Sequence, residues 1–564
     1  MSSAKTLSAQ EHAAGFTSKH RTIALIIVAL AFVIDLLDST IVNIAIPSIQ
    51  ANLGASYATI QWLVAGYALT FALLLVTGGR MGDVFGYKKI FMIGVGGFTA
   101  ASLLSGLAWS PEVLIGTRLL QGCMAALMVP QVMSLMQIMY KPEERTAVNG
   151  LFGALGGTAA SLGPVIGGLL IKANIAGLDW RPIFLINVPV GIFALLAAMK
   201  YLPDGKSPHP LKLDITGTLI LVGALGLLVF PLIQGRDLDW PLWTFILMAA
   251  SLPLLAVFAW WQRKKMAKDG SPLVVPSLFK LRSFKVGLLV NVIFEGAMIS
   301  YFLIFTLLLQ AGLGFSPIHA ALTGIPLAIG IGACMAALGS TIVPKIGRYS
   351  ISIGTIVMGL GLTTTMLIVN HYQLALHSWQ LIPGLFFTGV GMGLVFAPLF
   401  AVVLTDIDTK HAGSASGILN AVQQVGGAIG VAVIGVIFFA QLHHGAAPSI
   451  QAVEPRLRTQ LSAEHVPEAA QDTIIAGVKT CYVDRISQKD PSETPESCKQ
   501  AQSQPASAGI SKVVEQTAKE ANARNFAQAF KWGIVLSLAL LVVTFGLSLL
   551  LPKHIRKEAY TEAA

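Results

Sequence analysis

Charge is scarce in this chain. Asp, Glu, Lys and Arg make up 12% of its 564 residues, whereas soluble domains carry about 25%. The hydrophobic share is 54% and the mean hydropathy is +0.71, which excludes a water-soluble globular domain and indicates an integral membrane protein. The sequence also lacks signatures of enzyme chemistry. It has no Gly-x-Ser-x-Gly elbow, no His-Glu-x-x-His pair and no nucleotide-binding phosphate loop, and GSASG (413–417) carries alanine where an elbow needs its nucleophile. With no nucleotide site, any transport would have to draw on an ion or solute gradient, and no cofactor or metal is implied. Cysteine is rare, with four in all. Cys123 and Cys334 fall in apolar runs and read as inert small residues. Cys481 and Cys498 share a long polar segment, where an oxidising compartment would permit a disulfide.

Apolar runs are abundant. A helix of about 20 residues crosses a ~30 Å hydrocarbon core, and the sequence predicts fourteen: 22–46, 58–78, 90–108, 111–136, 147–171, 182–202, 214–234, 241–261, 286–309, 318–341, 350–370, 379–403, 412–441 and 530–551. The polar start, MSSAKTLSAQEHAAGFTSKHR, has no cleavable-signal pattern, so the first span is expected to stay in the mature chain. With the N-terminus inside, the inner segments hold 24 Lys and Arg against three (Lys172, Arg181, Arg236) in the six short outer loops. The positive-inside rule then places both termini in the cytoplasm. The formal charge of +10 reflects a basic face against anionic lipid, not a nucleic-acid site.

The charged loops divide the spans into six, two and six. The expected organisation is a tail at 1–21, a six-helix bundle at 22–202, two linker helices at 214–261, a second bundle at 286–551 and a tail at 552–564. The basic loop QRKKMAKDGSPLVVPSLFKLRSFK (262–285) marks the second junction, and a weak repeat supports the division: GGRMGDVFGYKK (78–89) and TIVPKIGRYS (341–350) each follow the second span of a bundle. Paired bundles with a site between them are a common transporter plan. Segment 442–529 is polar, rich in Gln, Ala, Ser and Pro, and broken by DPSETPES. A dock for a periplasmic adaptor and a partly ordered extracytoplasmic excursion without a partner are both compatible with that composition.

Four ionisable residues lie inside the spans: Asp35, Asp38, Arg118 and Glu295. A charge at the bilayer centre costs at least ~2.5 kcal/mol on insertion scales, so such residues face a cavity or a partner. Asp38 lies nine residues before Pro47, about 13 Å into the membrane, and Arg118 seven after Pro111, about 10 Å in. The two are nearly level. A carboxylate held between burial and a guanidinium is one whose protonation can switch; a permanent ion pair that pins two helices is the alternative. Glu295 sits near mid-membrane as a substrate or proton group. LGPVIGG (162–168) sets Gly163, Pro164, Gly167 and Gly168 in the fifth span, where small residues admit close packing and the proline should bend the helix. GSASGILNAVQQVGGAIG (413–430) adds Asn420, Gln423 and Gln424 as polar groups that could face a cavity.

These motifs resemble the major facilitator superfamily, most closely its fourteen-span drug:proton antiporters, across nearly the whole chain outside the long polar segment. DSTIVNIAIP resembles that subfamily's first-span signature, whose acidic residue, here Asp38, is implicated in proton coupling. Asp35 lies outside the signature and stays open. GRMGDVFGYKK resembles the superfamily's conformational loop motif, matching Gly79, Asp83, Gly86 and Lys88 and departing at Val84 and Tyr87, where basic residues are usual. RLLQGCMAA resembles the fourth-span motif, matching Arg118, Gln121 and Gly122, with its arginine implicated in proton transfer. LGPVIGG resembles the antiporters' G-P-x-x-G-G, matching Gly163, Pro164, Gly167 and Gly168, and WRPIFLINVPVG (180–191) is similar to the family's entry into the sixth span.

The resemblance implies an all-α integral membrane protein with the major facilitator fold, two six-helix bundles plus two extra spanning helices. It implies no enzyme and no cofactor, but a proton-driven efflux antiporter of the bacterial inner membrane working by alternating access. Its partners would be protons, small-molecule substrates and lipid. Three acids against one base within the membrane favour cationic or neutral lipophilic substrates. Alternatives are a dedicated exporter of one metabolite, siderophore or antibiotic, a nutrient symporter, an intramembrane enzyme, and a non-transporting sensor that uses 442–529 as its ligand domain.

Overall fold

The computed structural model describes residues 18–140, 142–207, 210–235, 237–338, 346–407, 409–488, 494–503 and 508–553. Most of both expected tails, residues 341–345 of TIVPKIGRYS and the first part of DPSETPES lie outside these ranges. Regular structure among the described residues is helical throughout.

The spanning helices are α1 (Ser18–Leu53), α2 (Tyr57–Phe85), α3 (Tyr87–Gly106), α4 (Pro111–Met139), α5 (Pro142–Ala173), α6 (Asn187–Tyr201, continuing the short Pro182–Leu185 helix), α7 (Ile215–Gln234), α8 (Leu242–Asp269), α9 (Arg282–Leu307), α10 (Ile325–Leu338, after Pro317–Thr323), α11 (Arg348–Tyr372), α12 (Ile382–Leu404) and α13 (Thr409–Ala463). Then follow α14 (Glu468–Ser487), α15 (Glu496–Ser503) and the last spanning helix α16 (Ala508–Ser548). Thirteen helical stretches are long and apolar enough to cross a bilayer, so this is a multi-pass membrane protein. The span expected at 147–171 is α5, 32 residues long, whose apolar stretch among the described residues, Leu162–Ala173, is shorter than a span. Starts are set by local chemistry: Ser56 caps α2 by accepting from the Thr59 N–H, and Ser110 caps α4 ahead of Pro111 in its first turn. At the sharp α2–α3 junction Gly86 has φ +103°, where a side chain would be strained.

The helices pack as two groups and a hairpin. In the first, α1 packs on α5 and α6, α2 on α4, and α4 on α3; in the second, α9 packs on α13 and α16, and α12 on α10 and α11. A Cβ on Gly426 or Gly430 of α13 would strike the backbone of α9 at Val292 or Gly296, so these two helices meet backbone to backbone. The face where α1 begins carries the basic loops and is called the basic face; the opposite one is the far face. The groups join along α2 and α13, including a contact near the far face, and at two further places on that side. There Tyr57 meets Phe439 with ring centroids 4.2 Å apart, Gln310 Nε2 donates to the Ile44 carbonyl at 3.0 Å, and α5 meets the Pro317–Thr323 helix at Gly168.

The α7–α8 hairpin is fixed to α2 at three heights. Ser56 Oγ donates to Asp237 at 2.8 Å on the far face, Thr77 bonds Thr218 at 2.9 Å, and Arg80 reaches the loops flanking the hairpin on the basic face. Helix α8 continues through QRKKMAKD, expected as loop, to Asp269, which pairs with Lys265 at 2.8 Å.

Segment 442–529 departs from the partly ordered excursion that its composition suggests. Helix α13 runs to Ala463 although its apolar run ends near 441, and α16 begins at Ala508, ahead of the span expected at 530–551. Helix α14 lays Ile475, Val478, Tyr482 and Ile486 into the same buried cluster as Ile450, Leu457 and Leu461 of α13. Burial pushes the Tyr482 phenol well above its ordinary pKa. Lys479–Glu454 (2.8 Å), Arg458–Asp472 (2.8 Å) and Arg456–Glu520 (3.0 Å) rim this cap, and a Cys481–Cys498 disulfide ties α14 to α15 with Cα atoms 4.6 Å apart. Buried apolar residues and ion pairing join this polar segment to the main hydrophobic core.

Candidate functional site

Five helices of the first group converge on Asp38, whose side chain is 0% exposed. Helix α4 presents Arg118 and Gln121 from one face, three residues apart. Arg118 Nη1 pairs with Asp38 Oδ2, while Gln121 Nε2 (3.1 Å) and Asn187 Nδ2 of α6 (2.9 Å) donate to Oδ1. Every donor is itself held. Gln121 Oε1 accepts from Arg118 Nη1 (3.0 Å) and from Ser105 Oγ of α3 (3.2 Å), and Gln121 Nε2 also donates to Ser102 Oγ (2.8 Å). Arg118 Nε donates to the Leu63 carbonyl of α2 at 3.3 Å, and the guanidinium lies 4.4 Å from the Tyr67 ring centroid. Arg118 is 1% exposed. A buried ion pair recovers its desolvation cost only when further hydrogen bonds support it; here Asp38 accepts from two amides and Arg118 donates to Gln121 and to the Leu63 carbonyl.

Asp35 belongs to the same assembly: it is 6% exposed and accepts a hydrogen bond from Tyr67 Oη, the phenol whose ring lies against Arg118. Tyr67, Asn187, Ser102 and Ser105 were not singled out by sequence reasoning. Asn187 stands inside the quoted WRPIFLINVPVG, and a mid-span amide next to an acid–base pair was the available signal.

Glu295 lies apart, on α9 of the second group. It is 2% exposed and accepts from Gln423 Nε2 of α13. One turn away, Asn291 Nδ2 donates to the Leu419 carbonyl at 3.0 Å, leaving its buried Oδ1 without a partner. The other two amides grouped with Gln423 behave differently. Asn420 is exposed and donates to the Ser416 carbonyl of its own helix at 3.0 Å, and Gln424 is half-buried. Neither meets Glu295.

The glycine motifs mark close approaches. A Cβ on Gly122 would meet α2 at Thr70 and the Tyr67 carbonyl, and one on Gly167 would lie 2.7 Å from Ile41 and Ile44. Gly163 faces Thr40, and Gly168 faces the backbone of Pro317 and Ile318. Helix α5 is continuous through Pro164, so the expected bend does not interrupt it. Cys123 and Cys334 are free thiols. Among the described residues no group of three or more His, Cys, Asp or Glu is placed to hold a metal.

GGRMGDVF is the last turns of α2, not a loop. Asp83 accepts from Tyr87 Oη at 3.0 Å, the residue standing where the resemblance leads one to expect a basic side chain, and Lys88 is 3.9 Å from Asp204. The strongest contacts of this motif come from a residue outside its matched positions. Arg80, 6% exposed, donates to the carbonyls of Lys212 (3.2 Å), Ser271 (2.9 Å) and Pro272. Beside it Asp214 caps α7 and accepts from Gly217 N (3.0 Å), Trp261 Nε1 (2.9 Å), Gln262 Nε2 (2.9 Å) and Leu273 N (3.3 Å). Burial alone would push this carboxyl up, but the four donors outweigh it and hold it below its ordinary range.

A many-spanned helical protein with a satisfied acid–base pair at its centre is a transporter in form. The Major Facilitator Superfamily model matches residues 28–431, and the chain belongs to that superfamily, whose members are transporters and not enzymes. It is 39% identical over 538 residues to the "Probable actinorhodin transporter" of Streptomyces coelicolor, covering 95% of this chain and 93% of that one. It is 32% identical over 424 residues to the "Tetracenomycin C resistance and export protein" of Streptomyces glaucescens (74% and 76% covered), and 31% identical over 416 to the "Puromycin resistance protein pur8" of Streptomyces alboniger (73% and 81%). Among solved structures, a bacterial homologue of the human lysosomal transporter Spinster superposes with TM-score 0.58 at 14% identity, covering 95% of this chain and 97% of that one. That likeness speaks to the fold.

Proposed function

We propose that this chain is a proton-coupled antiporter that exports lipophilic antibiotic-like compounds by alternating access, from a bacterial cytoplasmic membrane with both termini inside. The observation that carries the reading is the buried Asp38–Arg118 pair with its two amide donors. In this reading Asp38 takes up a proton when a helix movement withdraws the N–H donors of α4 and α6 and gives it up when they return. Rocking of one helix group against the other supplies such a movement. In this reading the far-face contacts at Gln310, Gly168 and Tyr57 belong to the half of the cycle closed on that side.

Glu295 and Gln423 form the substrate contact in this reading, offering a carboxylate to a cationic group and an amide to a neutral one. Export of a single antibiotic is the second reading, favoured by the 39% identity over nearly the full chain to a relative named for one compound. The cap of 442–529 serves here as an extension of α13 and α16 and needs no adaptor, since its apolar side is turned onto those helices.

Survival of a drug-sensitive host expressing the chain, across a panel of cationic, neutral and anionic compounds with and without a protonophore, tests the reading. Protection should cover lipophilic cations or neutral compounds and vanish with the protonophore. Protection that persists at a collapsed proton gradient contradicts it.

A further inference from the structure

Two carboxylates one helical turn apart on α1 have contrasting surroundings. Asp38 is met by three N–H donors, one of them the guanidinium of Arg118. Asp35 is met by one neutral donor, Tyr67 Oη. The titratable and charged groups that act on Asp35 are Tyr67 from α2, Asp38 from its own helix and Arg118 from α4. Beside Asp35, Ile34 and Tyr67 pack with Phe71, Phe98, Ala125 and Ala126, against Val190 of α6 and Ala421 of α13. One arginine therefore balances one carboxylate, and a second ionised acid a turn away stands without a cation of its own. Tyr67 is shared between the two, with its hydroxyl on Asp35 and its ring face 4.4 Å from the guanidinium that holds Asp38.

We infer that Asp35 is a second proton-carrying station and that Tyr67 is the positioning residue that couples it to the Asp38–Arg118 pair. The inference rests on the proton-coupled reading above. When Asp35 is ionised, the phenol donates to it, electron density on the ring rises, and the ring holds Arg118 more strongly. When Asp35 takes a proton from water, its own O–H can donate to the phenol oxygen, the ring loosens its hold, and Arg118 is free to serve Asp38 alone. The carboxyl O–H forms as an O–H of hydronium breaks, and the reverse step returns the proton to water. Asp35 lies about 4.5 Å closer than Asp38 to the basic face along the helix, so it is the station reached first from that side.

Infrared difference spectroscopy of the purified chain in liposomes, titrated between acid and alkaline pH, reads protonated carboxyl groups directly and needs no substrate. Glu295→Gln removes the other buried acid of the spanning segments from the background, and Asp214, buried at the start of α7, is present in every variant and cancels in the differences. The expected result is that Asp35→Asn and Asp38→Asn each remove one titrating carboxyl band, and that Tyr67→Phe, which keeps the ring and deletes only the hydroxyl, shifts the midpoints of both by about one pH unit, a tenfold change in proton affinity. If Asp35→Asn removes no titrating band, or Tyr67→Phe leaves both midpoints in place, the relay is refuted; Tyr67→Phe alone decides the matter if Asp35→Asn does not insert. The two readings fail separately. Gradient-driven efflux that survives Asp38→Asn overturns the proton-coupled reading. Loss of that efflux, with Asp35→Asn and Tyr67→Phe titrating as wild type, overturns only the relay.

Discussion

Arg118 pairs with Asp38 through Nη1 while the same nitrogen donates to Gln121 Oε1 at 3.0 Å and Nε donates to the Leu63 carbonyl at 3.3 Å. One guanidinium thus ties α4 to α1 and α2 and orients the amide that supplies Asp38 with a further donor. Lysine cannot reproduce this, because its ammonium is a point donor without the planar fork. Arg118→Lys should fold and bind substrate yet transport at least about tenfold more slowly. Arg118→Ala leaves a buried carboxylate without its cation and should destabilise the protein by about 3–5 kcal/mol. Thermal unfolding in detergent beside efflux rates in vesicles separates the two outcomes.

Asn187 donates to Asp38 at 2.9 Å and to Ser102 at 3.4 Å. A hydrogen bond to a charged group contributes about 1.5–3 kcal/mol. Asn187→Ala should lower thermal stability by an amount of that order and slow proton-driven efflux, whereas Asn420→Ala, at an exposed residue bonded to its own helix, should change neither by more than about 0.5 kcal/mol. Parallel melts of the two variants check the contrast.

The carboxyl of Asp214 is held below its ordinary pKa by four donors that outweigh burial. A depressed carboxyl contributes stability that is complete above the unfolded value near 3.9 and is lost as pH falls through the lower folded value. Amide exchange at the α7–α8 hairpin ends, taken as the ratio to the intrinsic exchange rate at each pH, should therefore be flat from pH 7 to 5 in wild type and rise only in stronger acid. Asp214→Asn should raise it at neutral pH. Arg80→Gln, which removes the charged donor to the Ser271 and Pro272 carbonyls, should do the same from the other side of the joint.

Gly168 meets the backbone of Ile318, and a Cβ there would lie 2.8 Å from its Cα. Gly168→Val should force α5 away from that segment and favour opening at the far face. Thiol labelling of Ile44→Cys from that side should become faster, and efflux slower, than in the parent; equal labelling rates would show that the contact does not help close the far face.

Much of this fold is written in the hydropathy of the chain, because a bilayer demands apolar runs of fixed length, and each expected span has its helix. Helix ends were less legible. The apolar run of α13 stops near 441 while the helix continues to Ala463, since beyond the membrane helix formation depends on packing such as that of Ile475 and Tyr482 of α14. The Asp38–Arg118 pairing was foreshadowed by depth, because nine and seven residues from helix-end prolines translate directly into height. Tyr67, Asn187 and Ser102 escaped because tyrosine, asparagine and serine are tolerated in spans for many reasons, and only the rotation of each helix in the bundle decides that these three join the cluster around Asp38 and Arg118. Rotation also separates Gln423, which reaches Glu295, from Asn420, which turns out to the surface.

The central claim is that Asp38 carries the proton that drives export. Proteoliposomes bearing wild type or Asp38→Asn, loaded with a compound identified by the resistance panel, allow two measurements in one preparation: downhill exchange without a gradient, and accumulation driven by an imposed pH gradient. The account predicts that Asp38→Asn keeps exchange and loses gradient-driven accumulation. Accumulation at the wild-type level in Asp38→Asn would contradict it.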